Sequence, residues 1–473
     1  MTRVRMIKAD GLRSIRSHDF ENFPNGTTPH TTMPLDALIA GLSGVLRPFF
    51  PNSLSLAGAW ISPLIGLAML GFLAAWSFRL RLPNRLLMLL LVAVSPILAH
   101  GFQLGRPDHQ SLLLFLIAVA MSSETGIVLQ RGRVWAYISA SAWALALWVS
   151  LFEPLILLGL VLATRGALYI FMPQLRPTFR NAIAPIGLFL ALLAAAFIVD
   201  DWRAAAFHPA FDRWAQNIGE LRSTTPAVLF GWCGWLLVFL PLLLAWGFRR
   251  DREPVRLVFL APILATAGLA LHHARWGYFV ALFCAMALPW ALDALRRRWF
   301  AWLVFSLSLW PVAGEWDRTL YPSDAVWRAR AENLADAVAL RDAAIRLRGL
   351  PQGGVMAPWW FCPAIVWWSG QPCIGGSSHQ SLPGIVDSCE FYLSESPEKT
   401  ETVLTKRQIR YIFAYEPERM ISNSAQILDR QPVATALAKS LFNHPNKSLP
   451  GLELIYENRY FKVLGVDLHS SPE

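Results

Sequence analysis

Residues 55–77 read SLAGAWISPLIGLAMLGFLAAWS, without one charged side chain. A helix of about 20 mostly apolar residues crosses the hydrocarbon core of a bilayer, where helices keep every backbone polar group paired. The arginines of FRLRLPNR (78–85) end the run. The same alternation of apolar runs and basic clusters then recurs along the chain. Candidate spans lie near 55–77, 86–103, 111–129, 135–151, 154–172, 182–199, 226–247, 257–271, 277–294 and 299–314. The expected fold is therefore a polytopic α-helical membrane protein of about ten spans, with Glu153-Pro154 marking a turn, a kink or a re-entrant point.

Composition sets the limits of this domain. The chain has 473 residues, of which 55% are hydrophobic and 16% charged. Soluble domains are about 45–50% apolar and about 25% charged. The charge deficit falls on 55–314, so the expected division is an outer loop segment (1–54), a transmembrane domain (55–314) and a soluble domain (315–473). Within 315–350, DAVWRARAENLADAVALRDAAIRLRG reads as an amphipathic helix stopped by Gly349. Beyond it, GGVMAPWWF, CPAIVWWSG, IRYIFAY, LELIYE and YFKVLGV alternate with turn residues, which predicts a mixed α/β domain.

The net charge of +10 does not indicate a nucleic-acid partner, because the arginines cluster between apolar runs. One set of loops carries Arg79, Arg81, Arg85, Arg131, Arg133, Arg249, Arg250, Arg252 and Arg256, whereas the alternate loops hold only Arg106, Arg203, Arg213, Arg222 and Arg275. The positive-inside rule puts the first set in the cytoplasm. The C-terminal domain is then extracytoplasmic, on a multi-pass protein of the cytoplasmic (inner) membrane. The basic N-terminus, with Arg3, Arg5, Lys8, Arg13 and Arg16, conflicts with that orientation. Five cysteines form no metal-binding spacing: Cys233 and Cys284 lie in apolar runs, and Cys362, Cys373 and Cys389 allow a disulfide whose pairing is not readable.

Polar residues gather at helix ends on the outer side, in HDFENFPNGTTPHTTMPLD (18–36), GRPDHQ (105–110), NIGELRSTTP (217–226) and HHARW (272–276). Singly, each has a plain reading. Asp108 after Pro107 suits a helix N-cap, Glu220 a solvated loop acid, and Arg275 a snorkelling interfacial arginine. Together, two carboxylates suit a divalent cation and an arginine suits a phosphate. A transporter or flippase of lipid-linked sugars is the rival reading; it calls for ionisable residues inside the spans and repeat symmetry, and neither is visible.

These stretches resemble, in order, those of the catalytic subunit of oligosaccharyltransferase and its prokaryotic relatives, within the GT-C glycosyltransferases. DFENFPNGTTPHTTMPLD is similar to the family's first outer loop, and GRPDHQ to its second-loop acidic motif. NIGE is similar to TIxE, and HHARW to the segment with the phosphate-contacting arginine. APWWFCPAIVWWSGQPCIGGSSHQSLPGIVDSCEFYLS resembles the WWDYG region. The resemblance implies transfer of a sugar or oligosaccharide from a polyprenyl (pyro)phosphate carrier to a protein or glycan acceptor. It implies Mn²⁺ or Mg²⁺ held by Asp108 and Glu220, with Gln110 at a position usually acidic. Arg275, with His272 beside it, would meet the donor phosphate, and Trp359 and Trp360 the acceptor. Asp19 is a secondary candidate, read first as organising its loop; His272 and His273 could both assist the phosphate contact, although interfacial histidines are more often structural.

Two departures qualify that picture. Phe361 stands where the family has an aspartate that binds the hydroxyl of a Ser/Thr sequon, and a phenyl ring cannot accept that bond. Relatives also carry an aspartate at the end of a helix preceding the segment that Val4–Ile7 resembles. The expectation is that the natural chain begins upstream with that helix; a chain starting at Met1 would be a non-catalytic or differently built relative.

Overall fold

The structure, a computed structural model, describes residues 1–11, 14–28, 33–200, 208–295 and 298–467. Arg13, Arg203 and part of the 18–36 stretch (29–32) lie outside them. The N-terminal segment, expected as loop, contains helices α1 (Thr2–Asp10) and α2 (Met33–Leu46). The membrane part follows as α3 (Ser53–Arg79), α4 (Arg85–Val94), α5 (Pro96–Gly101), α6 (His109–Val128), α7 (Val134–Val149), α8 (Phe152–Phe171) and α9 (Phe179–Asp200). After the short α10 (Phe211–Ala215) come α11 (Pro226–Cys233), α12 (Leu236–Asp251), α13 (Val255–His272), α14 (Trp276–Asp293) and α15 (Arg298–Leu320).

All ten expected spans fall on these helices, and the chain is a multi-pass membrane protein. Six of the described helices are long and apolar enough to cross a bilayer alone, or seven if α11 and α12, bent by 74°, form one span. The span expected at 86–103 breaks at Ser95-Pro96 into α4 and α5, where proline cannot donate to the helix ladder. The α11–α12 break falls at Gly234, whose φ of +61° suits glycine alone among common residues. A Cβ there would lie 2.1 Å from the Ser308 carbonyl oxygen. Apolar side chains on α9, among them Ile183, Leu190, Phe197 and Ile198, point outward, as lipid contact requires. By contrast, α6 and α14 are buried almost throughout and form the axis of the bundle.

The expectation of spans free of ionisable groups needs correction where Glu124 of α6 meets Arg165 of α8. Glu124, near the end of α6 remote from Asp108, is buried and accepts from Ser139 Oγ at 2.5 Å and Arg165 Nη1 at 3.2 Å. A charge at that depth is tolerated because it is paired.

The C-terminal part opens with α16 (Asp324–Arg346), and Gly349 just past it has φ +87°. A four-stranded sheet follows, with β1 (Gly354–Met356), β2 (Ile409–Ala414), β3 (Leu452–Glu457) and β4 (Lys462–Val466) in the order β1-β2-β4-β3. β1 runs parallel to β2 and the other pairs are antiparallel. Four of the five expected apolar runs supply these strands. The fifth, CPAIVWWS, is helix α17 (Cys362–Ser369), started by Pro363 in its first turn and stopped by Gly370 in the left-handed region. Helices α18 (Leu382–Leu393), α19 (Pro397–Lys406) and α20 (Pro417–Leu428) pack around it.

Residues 18–27 clip onto this domain. His18 and Thr27 exchange backbone bonds of 3.0 and 2.8 Å, Phe23 N–H donates to the Cys373 carbonyl at 3.1 Å, and Cys373 N–H returns to the Phe20 carbonyl at 3.0 Å. Arg407 also donates to Asn22 Oδ1 at 3.0 Å. The 18–27 stretch and the C-terminal domain therefore share one face of the bundle.

Candidate functional site at the domain-bearing face

Three long helices begin at this face: α6 after Asp108, α8 at Phe152 and α14 after Arg275. Each N-terminus carries free N–H groups and the positive end of the helix dipole, which favour anions. The loops joining them converge side chains far apart in sequence.

Asp108 is the N-cap of α6, accepting from Gln110 N–H at 3.1 Å on Oδ1. His109 Nδ1 lies 3.0 Å from the same oxygen, and Arg106 Nη2 is 3.0 Å from Oδ2. Burial pushes the Asp108 carboxyl up, but His109, the Gln110 N–H and Arg106 together hold it well below the usual carboxylate range. Cap and site residue are thus the same carboxylate.

Glu220 sits on the loop that precedes α11. That loop is stitched to the one before α14: Arg275 N–H donates to the Glu220 carbonyl at 2.9 Å, and Ala274 N–H to the Arg222 carbonyl at 2.8 Å. His273 Nδ1 is 2.8 Å from the Leu221 carbonyl. The stitching brings Glu220 Oε2 to 3.4 Å from Arg275 Nη2, while Oε1 pairs with Arg106. Arg275 Nη1 donates at 2.9 Å to Glu153, which is 1% exposed. The Arg275 Nε is buried and meets no acceptor among the described residues. Burial pushes the guanidinium's pKa down, but Glu153 and Glu220 together raise it, so Arg275 stays charged.

The structure therefore unites Asp108, Glu220 and Arg275, and it adds groups that the sequence reading passed over. Arg106 bridges the two carboxylates and reaches His100 and Tyr278 Oη. Glu153 had been read only as a turn or kink beside Pro154. The signal that could have found both is a charged residue next to a proline at a span end.

Other candidates stand apart. His272 is exposed, and the neighbouring His273 takes the loop contact. Asp19 is exposed on its loop between the inward-turned His18 and Phe20. Trp359 Nε1 donates to Asn423 Oδ1 at 3.1 Å, and Asn423 Nδ2 to Asn217 Oδ1 at 2.8 Å, three residues before Glu220. Trp359 also packs edge-on against Trp214 at 5.7 Å. Trp360 lies under Arg419, and its Nε1 has no acceptor among the described residues. Phe361 fills the core between Tyr415 and Phe461.

The expected Mn²⁺ or Mg²⁺ meets a donor set that does not fit it as placed. Hard divalent cations take about six or more oxygens. Here both oxygens of Asp108 and of Glu220 are already taken by His109, Gln110 N–H, Arg106 and Arg275. Gln110 is fully buried, and its amide has no partner among the described residues. No group of three or more His, Cys, Asp or Glu side chains able to hold a metal occurs among the described residues.

The fold, a helical membrane bundle with a C-terminal domain over one face, is shared with solved oligosaccharyltransferase structures. The oligosaccharyltransferase of Archaeoglobus fulgidus, tethered with an acceptor peptide containing the NVT sequon, matches with a TM-score of 0.68 at 14% identity, over 87% of this chain and 64% of its own. The complex of that enzyme with Zn and sulfate matches with a TM-score of 0.67 at 14% identity, over 87% of this chain and 62% of its own. The archaeal oligosaccharyltransferase AglB from A. fulgidus, with an inhibitory peptide and a dolichol-phosphate, gives 0.65 at 14% identity over 93% and 67%. The chain thus spans 64% of the length of the first of these. No protein-family model and no curated protein matches the chain.

Proposed function

We propose that the protein is a membrane glycosyltransferase that moves a sugar or oligosaccharide from a polyprenyl (pyro)phosphate carrier to an extracytoplasmic acceptor. The observation that carries the reading is the meeting of three carboxylates and two guanidiniums where three helix N-termini open beneath a separate domain. Helix N-termini and arginines are suited to phosphate. Its place in the cytoplasmic membrane, with 315–473 as the extracytoplasmic domain, follows from the positive-inside pattern.

In the reaction the bond from the anomeric carbon to the phosphate oxygen breaks, and the electron pair leaves on the carrier phosphate. Arg275, held by Glu153 and with an Nε–H that meets no acceptor among the described residues, faces that phosphate and meets its developing charge. The acceptor's nucleophile bonds to the anomeric carbon and releases its proton. Asp108, held ionised by its partners, is a poor base, which leaves Glu220 to take the proton. Phe361 in the core argues against recognition of a sequon hydroxyl at that position. Trp359 is assigned to coupling the domain to the Glu220 loop through Asn423.

Incubation with labelled polyprenyl-linked sugar in proteoliposomes tests the proposal. The expected result is transfer that Asp108→Ala and Glu220→Ala abolish. Full transfer by both variants overturns the site, and movement of the intact lipid between leaflets without sugar release favours a flippase.

A further inference from the structure

The gap between Asp108 and Glu220 already has a cationic occupant. Arg106 spans it with one nitrogen, Nη2, which pairs with both carboxylates. Its other terminal nitrogen is tied to the His100 ring at 2.8 Å and to Tyr278 Oη at 3.4 Å. The backbone that delivers it is fixed. Gly105, at φ +81°, donates its N–H to the Ala59 carbonyl at 2.9 Å, and Ser62 Oγ donates to the Arg106 carbonyl at 2.6 Å. Both partners lie on α3, so the guanidinium is carried by packed structure instead of a free loop tip. A guanidinium and a divalent ion are mutually exclusive in this gap, since each needs the same carboxylate oxygens.

We propose that Arg106 is the resident cation of the site, standing where a divalent ion would sit. The donor phosphate is then received by two guanidiniums, Arg106 and Arg275. This rests on the glycosyltransferase reading above. Two N–H groups are free for it: Nε of Arg275, buried and without an acceptor among the described residues, and Nε of Arg106, which has no hydrogen bond among them. The cluster holds three carboxylates (Asp108, Glu153, Glu220) against these two guanidiniums, with the three helix N-termini adding positive potential. Glu220, shared by both arginines, is therefore the group an incoming phosphate must compete with.

That competition gives a test whose sign separates the two arrangements. If Glu220 is a metal ligand, Glu220→Gln weakens binding of a lipid phosphate. If Arg106 is the cation, the same change frees both guanidiniums and tightens binding. Chelator-stripped full-chain protein in detergent is titrated with Mn²⁺ by electron paramagnetic resonance, and with a polyprenyl phosphate by tryptophan fluorescence with and without EDTA.

The expected results are no stoichiometric Mn²⁺ on the wild type and lipid-phosphate binding indifferent to EDTA. Binding becomes about fivefold tighter in Glu220→Gln, from removal of one nearby charge, and about 10- to 100-fold weaker in Arg106→Ala, from loss of a charge-assisted contact. Arg106→Ala also gains a Mn²⁺ signal that Arg106→Lys does not. One tightly bound Mn²⁺ per wild-type chain, or binding lost in EDTA, overturns the inference and leaves the donor reading intact. No binding of the lipid under any condition removes the donor reading and the inference with it. The wild-type arms decide even where a variant does not fold.

Discussion

Replacing Glu153 by alanine withdraws the buried carboxylate beneath Arg275, and the structure sets the size of the effect. Glu153 accepts from Arg275 Nη1 at 2.9 Å and from Ser150 Oγ at 2.5 Å. Both bonds are made to the Glu153 carboxylate, and a hydrogen bond to a charged group is worth about 1.5–3 kcal/mol. Their sum agrees with the about 3–5 kcal/mol measured for breaking a buried ion pair by removing one partner. The two single changes are not equivalent. After Glu153→Ala, Arg275 keeps Glu220 at 3.4 Å and is 23% exposed, so water relieves part of the loss. After Arg275→Ala, a carboxylate at 1% exposure is left with Ser150 as its one side-chain partner among the described residues, which costs more. Removing both costs less than the sum, with a coupling of about 2–3 kcal/mol. Equilibrium unfolding in mixed micelles, run on the two single variants and the double variant, measures it. Additivity to within about 0.5 kcal/mol would refute the pairing and, with it, the account of how Arg275 is aimed.

Three further outcomes follow from other parts of the molecule. Phe361→Asp restores the acid expected from the resemblance but places it between Tyr415 and Phe461; loss of the ring alone costs about 3–5 kcal/mol, so thermal unfolding of the C-terminal domain falls steeply, and unchanged stability sinks the core assignment. Asn423→Ala cuts both bonds joining Trp359 to Asn217, and amide exchange in 213–222 should accelerate while the sheet stays protected; equal exchange in the loop contradicts the coupling. The third concerns pH. Burial, then Arg3, pushes His18 down to about 3, so the unfolded segment takes up the proton first; the clip is fully stable above about 6.5 and loses about 2 kcal/mol by pH 5, partly offset by Glu21, which burial raises. Exchange protection of 14–28 that stays flat between pH 7 and 5 rules this out.

The spans were legible because hydrophobic length is a local property, and each of the ten segments became helix. The breaks were less so: Pro96 and Gly234 are visible, but the 74° turn between α11 and α12 depends on how closely Gly234 approaches Ser308, which no local pattern records. In the C-terminal part, CPAIVWWSG has the apolar density of a buried strand, and only its flanking Pro363 and Gly370 mark a helix. Short apolar runs do not separate the two by periodicity.

The site divides along the same line. Asp108 and Arg275 could be picked out because each flanks an apolar run, and Glu220 from its place in NIGE, whereas Arg106 and Glu153 acquire their meaning from partners 114 and 122 residues away. Sequence reasoning set the N-cap reading of Asp108 against a functional one as if they excluded each other. In the structure the cap is what orients the carboxylate for its contact with Arg106. By accepting from Gln110 N–H, Oδ1 fixes the carboxylate plane at the start of α6, and Oδ2 is thereby presented to Arg106. A capping bond is worth about 1 kcal/mol to the helix, which is small for stability. It is enough to hold one rotamer of a short side chain, and the guanidinium that spans to Glu220 needs that rotamer. The capping signal was local, whereas the ion-paired bridge it supports became visible only once a second helix and a stitched loop supplied the other half of the cluster.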